Sequence, residues 1–84
     1  MITFKESAWE DYLCWQATDK NIVKKINALI KDVVRSPFDG LGKPEPLKHN
    51  LSSCWSRRID GGHRLTYQVM ADEIVIIACK GHYE

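Results

Sequence analysis

The sequence predicts an α+β fold in which two N-terminal helices pack on an antiparallel sheet, and three observations lead to this class. Apolar residues in the first half recur at three- and four-residue spacing, which is typical of amphipathic helices. Between Ser53 and Cys79 the period changes to two, as in strands that bury one face. With 84 residues the chain can bury one modest core and no second one. We therefore expect a single domain over residues 1–84.

The first predicted elements are a short strand and a helix. Residues 1–4 alternate in hydrophobicity and predict a short edge strand. Ser7 to Glu10 fits a capping box, in which a serine and a glutamate satisfy free backbone donors at a helix start. We expect this helix to run to about Gln16. Its buried side is predicted to carry Trp9, Tyr12 and Leu13, with Trp15 on or near that side.

The second predicted helix carries the strongest periodic signal in the chain. Thr18-Asp19 offers a cap at its start. The apolar residues that follow at helical spacing are Ile22, Val23, Ile26, Leu29, Ile30, Val33 and Val34. The helix should end near Ser36, because the proline at position 37 disfavours helical geometry in the residue before it.

Residues 36–50 are predicted to form a long loop, since they contain all three prolines and two of the five glycines. Long loops in compact domains are usually functional. After this loop, turn signals at 60–62 and 71–72 divide the rest of the chain into three antiparallel strands.

The register of the first hairpin follows from its side chains. A two-residue loop would mix apolar and polar residues on both faces of the sheet. A three-residue loop instead places Arg58 opposite Arg64 and Ile59 opposite His63. One face then carries Trp55, Ile59, Leu65, Tyr67 and Val69, with Arg57 as an exception, and the other carries Ser56, Arg58, Arg64, Thr66 and Gln68. We predict this second register, which presents two arginines to solvent or to a ligand.

Composition and charge narrow the function classes. Hydrophobic residues make up 44% and charged residues 27%, which excludes a disordered tail or a coiled-coil rod. No apolar run approaches the roughly 18 residues of a membrane span, and the N-terminus lacks a signal peptide, so a cytoplasmic protein is expected. The three cysteines have no CxxC spacing and are interpreted as reduced packing residues. Residues 43–64 carry five basic groups against two acidic ones, where an anion could dock.

Several residues in and after the loop could have a catalytic or binding role. For each of them the sequence also allows an interpretation without such a role. Glu45 stands between two prolines, as a rigidly placed catalytic carboxylate or as a solvated loop glutamate. Arg58 and Arg64 either clamp a phosphate or are simply exposed sheet arginines. His82 and Tyr83 could transfer a proton and stack on a base, or belong to an idle tail.

Other motifs point away from cofactor chemistry. His49 and His63 are interpreted as structural residues. Their spacing, and that of the cysteines and carboxylates, makes no convincing metal site. A glycine-rich phosphate loop and a nucleophilic serine motif are also missing from the sequence. We therefore expect neither a metal nor an organic cofactor.

Taken together, these residues fit one reaction, the cleavage of RNA by attack of its own 2'-hydroxyl. None of them indicates a function as clearly when it is considered alone. That reaction needs a base for the hydroxyl proton, cations for the crowded phosphorane and an acid for the departing 5'-oxygen. Glu45, the pair of Arg58 and Arg64, and His82 could fill these roles in that order.

The chain also resembles a known family over essentially its whole length. The residues that carry the resemblance are Trp9, Asp11-Tyr12, Trp15, Asp19-Lys20, Ile22 to Asn27, Leu29 to Asp32, Gly42 to Ser52, Trp55 to Ile59, His63 to Leu65 and His82-Tyr83. They are similar to those of the YoeB-type toxins in the RelE superfamily of bacterial toxin ribonucleases. The resemblance implies a RelE-like, microbial-ribonuclease-like α+β fold that enters the ribosomal A site and cleaves the mRNA codon there. It further implies neutralisation by a YefM-type antitoxin and, more weakly, a homodimer.

By matching positions, the resemblance implies a role for six residues. Glu45 would be the general base, His82 the general acid, Arg64 the transition-state cation and Tyr83 an aligning or stacking residue, while Lys48 and Arg58 would be supporting phosphate contacts. The chain departs from the family at Gly81, where a larger residue is expected, and at Glu84, which follows the tyrosine.

Two other function classes stay open on the sequence. One is a non-catalytic RNA-binding or ribosome-binding module that uses the same basic face. The other is an inert subunit, which folds on an antitoxin and has no activity of its own. A binding module would need Arg58 and Arg64 but would be indifferent to Glu45, whereas a nuclease needs Glu45 and His82.

Overall fold

A computed structural model describes residues 1–47 and 53–81 of the chain. Its elements, in chain order, are β1 (Ile2–Phe4), α1 (Glu6–Thr18), α2 (Lys20–Arg35), β2 (Glu45–Pro46), β3 (Cys54–Arg58), β4 (Arg64–Val69) and β5 (Ile74–Ala78). The strands form one sheet in the order β1-β5-β4-β3-β2, and both helices pack against it around a common core. The predicted α+β class is confirmed. The predictions for Lys48, His49, His82, Tyr83 and Glu84 concern positions outside the described residues.

The sheet is mixed, which refines the antiparallel sheet expected from the sequence. Strands β3 to β5 are antiparallel neighbours, as predicted. Strand β2 lies in the segment predicted to be a loop and adds a further antiparallel strand beside β3. Strand β1 lies at the edge, also as predicted, but runs parallel to β5 with Ile2 opposite Ile74. A parallel pair needs a long connection, and the two helices, the loop and the central strands supply it here.

Helix α1 differs from its prediction at both the start and the buried face. It begins at Glu6, and its N-cap Lys5 makes no side-chain capping bond, so the predicted capping box is wrong. Trp9 and Leu13 are 45% and 44% exposed, while Ala8 and Trp15 are buried. The face of α1 that carries Ala8 and Trp15 therefore packs on the core, and Trp9 and Leu13 lie outside that face.

Helix α2 follows its prediction closely. The side chain of Asp19 accepts hydrogen bonds from the backbone of Asn21 at 3.0 Å and of Ile22 at 3.3 Å, which confirms the cap. The helix ends at Arg35, directly before Ser36. Its buried apolar residues are Ile22, Ile26, Leu29 and Val33, whereas Val34 is 52% exposed.

The hairpin between β3 and β4 has the predicted register. Arg58 lies opposite Arg64, and the backbone N–H of Ile59 donates to the carbonyl of His63 at 3.0 Å. Arg57 therefore points to the helix side, where it is fully buried.

The cysteines are free thiols, as the sequence indicated. Cys54 and Cys79 are buried and Cys14 is partly exposed. Among the described residues, no helix is long and apolar enough to cross a membrane.

Candidate functional site

The centre of the candidate site is an ion pair between Glu45 and Arg64. The sheet brings them together because β2 places Glu45 opposite Ser56 on β3, and β4 is the next strand along. The Nη2 of Arg64 lies 3.0 Å from the Oε1 of Glu45. The Nε of the same guanidinium donates to the hydroxyl of Ser56 at 2.6 Å. Two residues proposed for different roles in one reaction are thus in direct contact.

The two partners of this pair differ in their access to solvent. The side chain of Glu45 is 61% exposed, whereas that of Arg64 is 18% exposed. Ser56, which holds the inner edge of the guanidinium, is fully buried. The arginine is therefore fixed by the sheet beneath it, while the carboxylate faces outward, where a ligand can reach it.

Ser56 was not singled out from the sequence, although a signal for it existed. The predicted register already placed Ser56 on the face that carries Arg64. A small hydroxyl beneath a cation on a neighbouring strand is suited to fixing that cation by a charge-assisted hydrogen bond.

Arg58 supplies a second cation on the same face. It is exposed and lies directly opposite Arg64 across the hairpin. Its backbone N–H donates to the carbonyl of Gly42 at 2.7 Å, which ties the end of β3 to the loop that leads to Glu45. Arg58, Arg64 and Glu45 therefore lie close together on one face of the sheet.

The loop before Glu45 has little regular secondary structure, but hydrogen bonds hold its C-terminal end in place. Within β2, Glu45 and Pro46 are extended and paired with β3, a pairing that the sequence did not predict. The backbone N–H of Leu47 donates to the carbonyl of Cys54 at 2.9 Å. These bonds fix the backbone on both sides of the carboxylate.

A buried arginine holds the first part of this loop. The guanidinium of Arg57 donates to the carbonyls of Ser36, Asp39 and Leu41 at 2.5, 2.9 and 3.1 Å. It also donates to the carboxylate of Asp32 at 2.6 Å and to the hydroxyl of Tyr67 at 3.1 Å. Every bond is made inside the fold, so the loop backbone is clamped to β3 and α2.

Asp32 completes this clamp. Its Oδ2 accepts from the backbone N–H of Leu41 at 2.9 Å and its Oδ1 from Arg35 at 3.0 Å. The hydrogen bond from Leu41, followed by that from Arg57, holds the pKa of Asp32 below its ordinary value. One sign of this network is visible in the sequence, because Arg57 is the exception on an otherwise apolar face.

The described part of the chain after β5 ends beside Arg64. The backbone N–H of Arg64 donates to the carbonyl of Gly81 at 3.0 Å. The N–H of Gly81 donates to the Nδ1 of His63 at 2.9 Å. The chain thus reaches the start of β4 one residue before His82.

The structure brings together three of the six predicted site residues, namely Glu45, Arg58 and Arg64. Lys48, His82 and Tyr83 lie outside the described residues, so their roles stay predictions. Within 1–47 and 53–81, no group of three or more histidine, cysteine or acidic side chains is arranged to hold a metal ion.

Comparison with protein families gives one match over nearly the whole chain. The family model described as the YoeB-like toxin of bacterial type II toxin-antitoxin systems matches residues 4–83. The chain is similar to the toxin YoeB of Escherichia coli K12, with 62% identity over 82 residues that cover 98% of each protein.

Solved structures show the same similarity. The structure of a YoeB dimer from Staphylococcus aureus superimposes with a TM-score of 0.92 at 51% identity, over 98% of this chain and 95% of that one. The heterotetrameric YoeB-YefM toxin-antitoxin complex from the same species gives a TM-score of 0.91 at 50% identity, over 99% and 97% of the two chains.

Proposed function

This chain belongs to the YoeB-like toxins of bacterial type II toxin-antitoxin systems, and we propose that it inhibits translation by cutting mRNA in the ribosomal A site. The substrate is the codon presented there, and the products carry a 2',3'-cyclic phosphate, or its 3'-phosphate hydrolysis product, and a free 5'-hydroxyl. The observation that carries the proposal is the contact between Glu45 and Arg64 at 3.0 Å.

The reaction that fits this contact is attack of a ribose 2'-hydroxyl on the adjacent phosphate. Glu45 accepts the hydroxyl proton, the 2'-oxygen forms a bond to phosphorus, and the bond to the 5'-oxygen breaks. His82 donates a proton to the departing 5'-oxygen. The nucleophile is supplied by the substrate, so the proposed reaction requires neither a metal nor an organic cofactor.

The cations of the site meet the negative charge that collects on the phosphorane oxygens. Arg64 is suited to the main role because the sheet and Ser56 fix its guanidinium before substrate arrives, which avoids reorganisation during the reaction. Arg58, across the hairpin, and Lys48 are proposed as supporting phosphate contacts. Tyr83 is proposed to align or stack on a nucleotide next to the scissile bond.

The ion pair also has a function in the cycle. Before substrate binds, Glu45 and Arg64 neutralise each other in part. A phosphate that approaches Arg64 competes for its donors and weakens their bond to Glu45. The carboxylate is then available as a base at the place where the 2'-hydroxyl arrives.

Dependence on the ribosome follows from the small basic surface. The net charge is only +1, and residues 43–64 supply five basic groups against two acidic ones. This is little to hold a free RNA strand in line for attack. The ribosome orients the message and thereby supplies an entropic advantage of about 7 to 11 kcal/mol at most, as in well-oriented intramolecular reactions.

The partners proposed for this chain are mRNA, the ribosomal A site and a YefM-type antitoxin, in the cytoplasm. Support for the antitoxin comes from the S. aureus YoeB-YefM complex. Support for a homodimer comes from the S. aureus YoeB dimer. We propose that the antitoxin silences the enzyme by covering or moving the C-terminal segment that contains His82 and Tyr83.

The decisive experiment compares purified wild type with Glu45→Gln and His82→Gln on ribosome-bound mRNA. Each substitution should lower the cleavage rate about 100-fold or more, the usual contribution of a positioned proton-transfer group. Glu10→Gln, at an exposed position on α1, is the matched control and should cut normally. Full activity of both site variants would overturn the assignment.

The same assay separates this proposal from its two alternatives. A 2'-deoxy nucleotide immediately 5' of the scissile phosphate should block cleavage, because it removes the nucleophile. A non-catalytic binding module would bind ribosomes without producing new mRNA ends. An inert subunit would do neither, and its expression without antitoxin would leave growth unaffected.

A further inference from the structure

The side chain of His63 lies between the core and the C-terminal end of the described chain. Its ring meets the indole of Trp15 edge to face, with the centroids 4.7 Å apart. Trp15 is itself held, because its Nε1 donates to the carbonyl of Cys79 at 2.9 Å. The ring orientation of His63 is therefore set by a buried neighbour and not by solvent.

The other side of this ring contacts Gly81. The backbone N–H of Gly81 donates to the Nδ1 of His63 at 2.9 Å, and its carbonyl accepts from the N–H of Arg64 at 3.0 Å. Gly81 has a left-handed φ of +79°, which favours glycine at this position. Two hydrogen bonds on opposite sides of one residue thus fix the peptide that immediately precedes His82.

We propose that His63 is a positioning residue, which fixes the backbone at Gly81, the residue directly before His82. This inference rests on the proposed function for its catalytic consequence, whereas its structural part concerns Gly81 alone. His63 does not touch the substrate. It acts through the peptide of Gly81, on which the placement of the general acid depends.

The hydrogen bond from the N–H of Gly81 to the Nδ1 of His63, which we call the tether, requires one protonation form of the imidazole. The Nδ1 accepts a hydrogen bond, so it carries a lone pair and the ring proton resides on Nε2. Protonation of the ring turns Nδ1 into a donor that faces the N–H donor of Gly81, and the bond is lost. Acidification should therefore release Gly81 while the rest of the fold stays intact.

Three charged residues adjoin His63, in the chain or in the fold. The hairpin contributes Asp60, whose backbone N–H donates to the carbonyl of His63 at 3.2 Å. Strand β4 contributes Arg64, the next residue in the chain. The C-terminal end contributes Lys80, whose Nζ lies 5.7 Å from the centroid of the Trp15 ring.

Two substitutions distinguish the contribution of the hydrogen-bond acceptor of His63 from the contribution of its aromatic ring. His63→Asn keeps an acceptor oxygen close to the position of Nδ1 and does not titrate. His63→Phe keeps an aromatic ring against Trp15 but has no acceptor. Comparing both with wild type distinguishes the tether from simple packing, which the phenylalanine would preserve better than the asparagine.

The first readout is the backbone amide of Gly81, followed by NMR and hydrogen exchange in the purified protein. In wild type it should be protected at pH 8 and lose protection as His63 becomes protonated. In His63→Asn the protection should remain at both ends of that range. In His63→Phe exchange should be about tenfold faster or more than in wild type at pH 8, and the difference should disappear at the acidic end. Equal exchange at Gly81 in wild type and His63→Phe, or no response to pH in wild type, would overturn the tether.

The second readout is cleavage of ribosome-bound mRNA. His63→Phe should lower kcat by roughly 10- to 100-fold, as misplaced catalytic groups do, with KM for the programmed ribosome unchanged. His63→Asn should restore most of kcat and remove the acid limb that His63 contributes to the pH profile. Normal kcat in His63→Phe together with a released Gly81 would show that the tether does not position His82.

Failure of the proposed function gives a different result. If wild type itself does not cut mRNA under any of these conditions, the nuclease assignment fails and the catalytic role of His63 fails with it. The Gly81 amide would still report whether the tether exists.

Discussion

Arg57 and Asp32 form an enclosed ion pair beneath the loop that leads to Glu45, with 2.6 Å between Nη1 and Oδ2. The side chains of both residues are at least nine-tenths buried. An isolated buried charge is costly, but here the guanidinium makes five hydrogen bonds and the carboxylate accepts from three groups. The pair therefore fixes the backbone of the loop that leads to Glu45. This adds to the restraint that the flanking prolines place on Glu45.

Tyr67→Phe tests the energetic importance of this network. The Tyr67 hydroxyl donates to the carbonyl of Pro37 at 2.7 Å and accepts from the Nε of Arg57 at 3.1 Å. Its removal leaves two buried polar groups without a partner and should lower the free energy of unfolding by about 1 to 3 kcal/mol. Urea unfolding measures this change.

Tyr12→Phe is the matched control for that experiment. The Tyr12 hydroxyl donates to the side chain of Asn27 at 2.7 Å at an exposed position. Water can replace that bond, so this variant should lose about 0.5 kcal/mol or less. Equal losses in the two variants would contradict the importance of the buried network.

The acid dependence of stability should report on Asp32. Its pKa is held below the ordinary value of 3.8, first by the N–H of Leu41 and then by Arg57. A carboxyl whose pKa is lower in the folded state stabilises the fold above its unfolded pKa, and this contribution disappears as pH falls through the folded pKa.

Asp32→Asn should therefore unfold with a weaker dependence on pH than wild type below about pH 4. The measurement is urea unfolding at a series of pH values from neutral downward. The slope is the diagnostic quantity, because the substitution also lowers stability at neutral pH. Identical slopes in this acid range would show that Asp32 is not protonated on unfolding.

Local patterns in the sequence predicted much of the fold. Asp19 and Pro37 delimit α2 because a cap and a proline act on their immediate neighbours, whatever the rest of the chain does. The register that places Arg58 opposite Arg64 was also predictable, since a slip by one residue would move every apolar side chain to the wrong face.

The remainder depends on contacts between distant parts of the chain. Asp32 and Arg57 are 25 positions apart, and their partnership arises only when α2 packs on β3. The partial exposure of Trp9 arises because α1 turns Ala8 and Trp15 toward the core, a tertiary effect that helical spacing alone does not contain. The contact between Glu45 and Arg64 needed the pairing of β2 with β3, and a strand of two residues has no periodicity to predict it.

Thiol labelling should distinguish the three cysteines of the folded protein. Burial, with a smaller contribution from Asp11, raises the pKa of Cys79 to about 12, and burial also raises the pKa of Cys54. The thiolate is the nucleophile, so neither should react with iodoacetamide near neutral pH. Cys14, which is partly exposed, should react first.

Mass spectrometry of the labelled peptides measures this order. In denaturant all three cysteines should be modified, which serves as the control for reagent and detection. Modification of Cys79 in the folded protein at a rate similar to that of Cys14 would contradict the enclosed position of Cys79.

Arg64→Lys should impair cleavage more than Arg58→Lys. Lysine keeps the charge but cannot donate to Ser56 and Glu45 from one rigid fork, as the Nε and Nη2 of Arg64 do at 2.6 and 3.0 Å. Removing one prearranged donor from a transition state costs about 100-fold or more in kcat. For Arg58→Lys we expect a smaller loss, because its proposed role is a supporting phosphate contact.

Ser56→Ala isolates the support beneath Arg64. It leaves both charges in place and removes only the hydroxyl that accepts from Nε. We expect kcat on ribosome-bound mRNA to fall by roughly tenfold, the effect of one hydrogen bond to a charged group. An unchanged kcat would show that the sheet alone fixes the arginine.

Gly42, in the loop that leads to Glu45, should tolerate substitution poorly, and Gly61 in the hairpin provides the comparison. Gly42 has a left-handed φ of +77°, and an added Cβ would lie 2.9 Å from the carbonyl oxygen of Arg58 and from the Cδ2 of Leu29. Gly61 has no atom within 4 Å of the same position.

Gly42→Ala should therefore lower the free energy of unfolding by at least about 1 to 2 kcal/mol, from the backbone conformation alone. The crowding against Arg58 adds to this cost and pushes the loop away from β3, so cleavage should fall as well, through a displaced Glu45. Gly61→Ala should leave stability within about 0.5 kcal/mol of wild type, or raise it slightly by reducing the entropy of the unfolded chain. Urea unfolding and ribosome-dependent cleavage of both variants test the argument. If Gly42→Ala is destabilised but cuts at the wild-type rate, the loop can move without carrying Glu45 out of place, and the link between the clamp and catalysis is wrong.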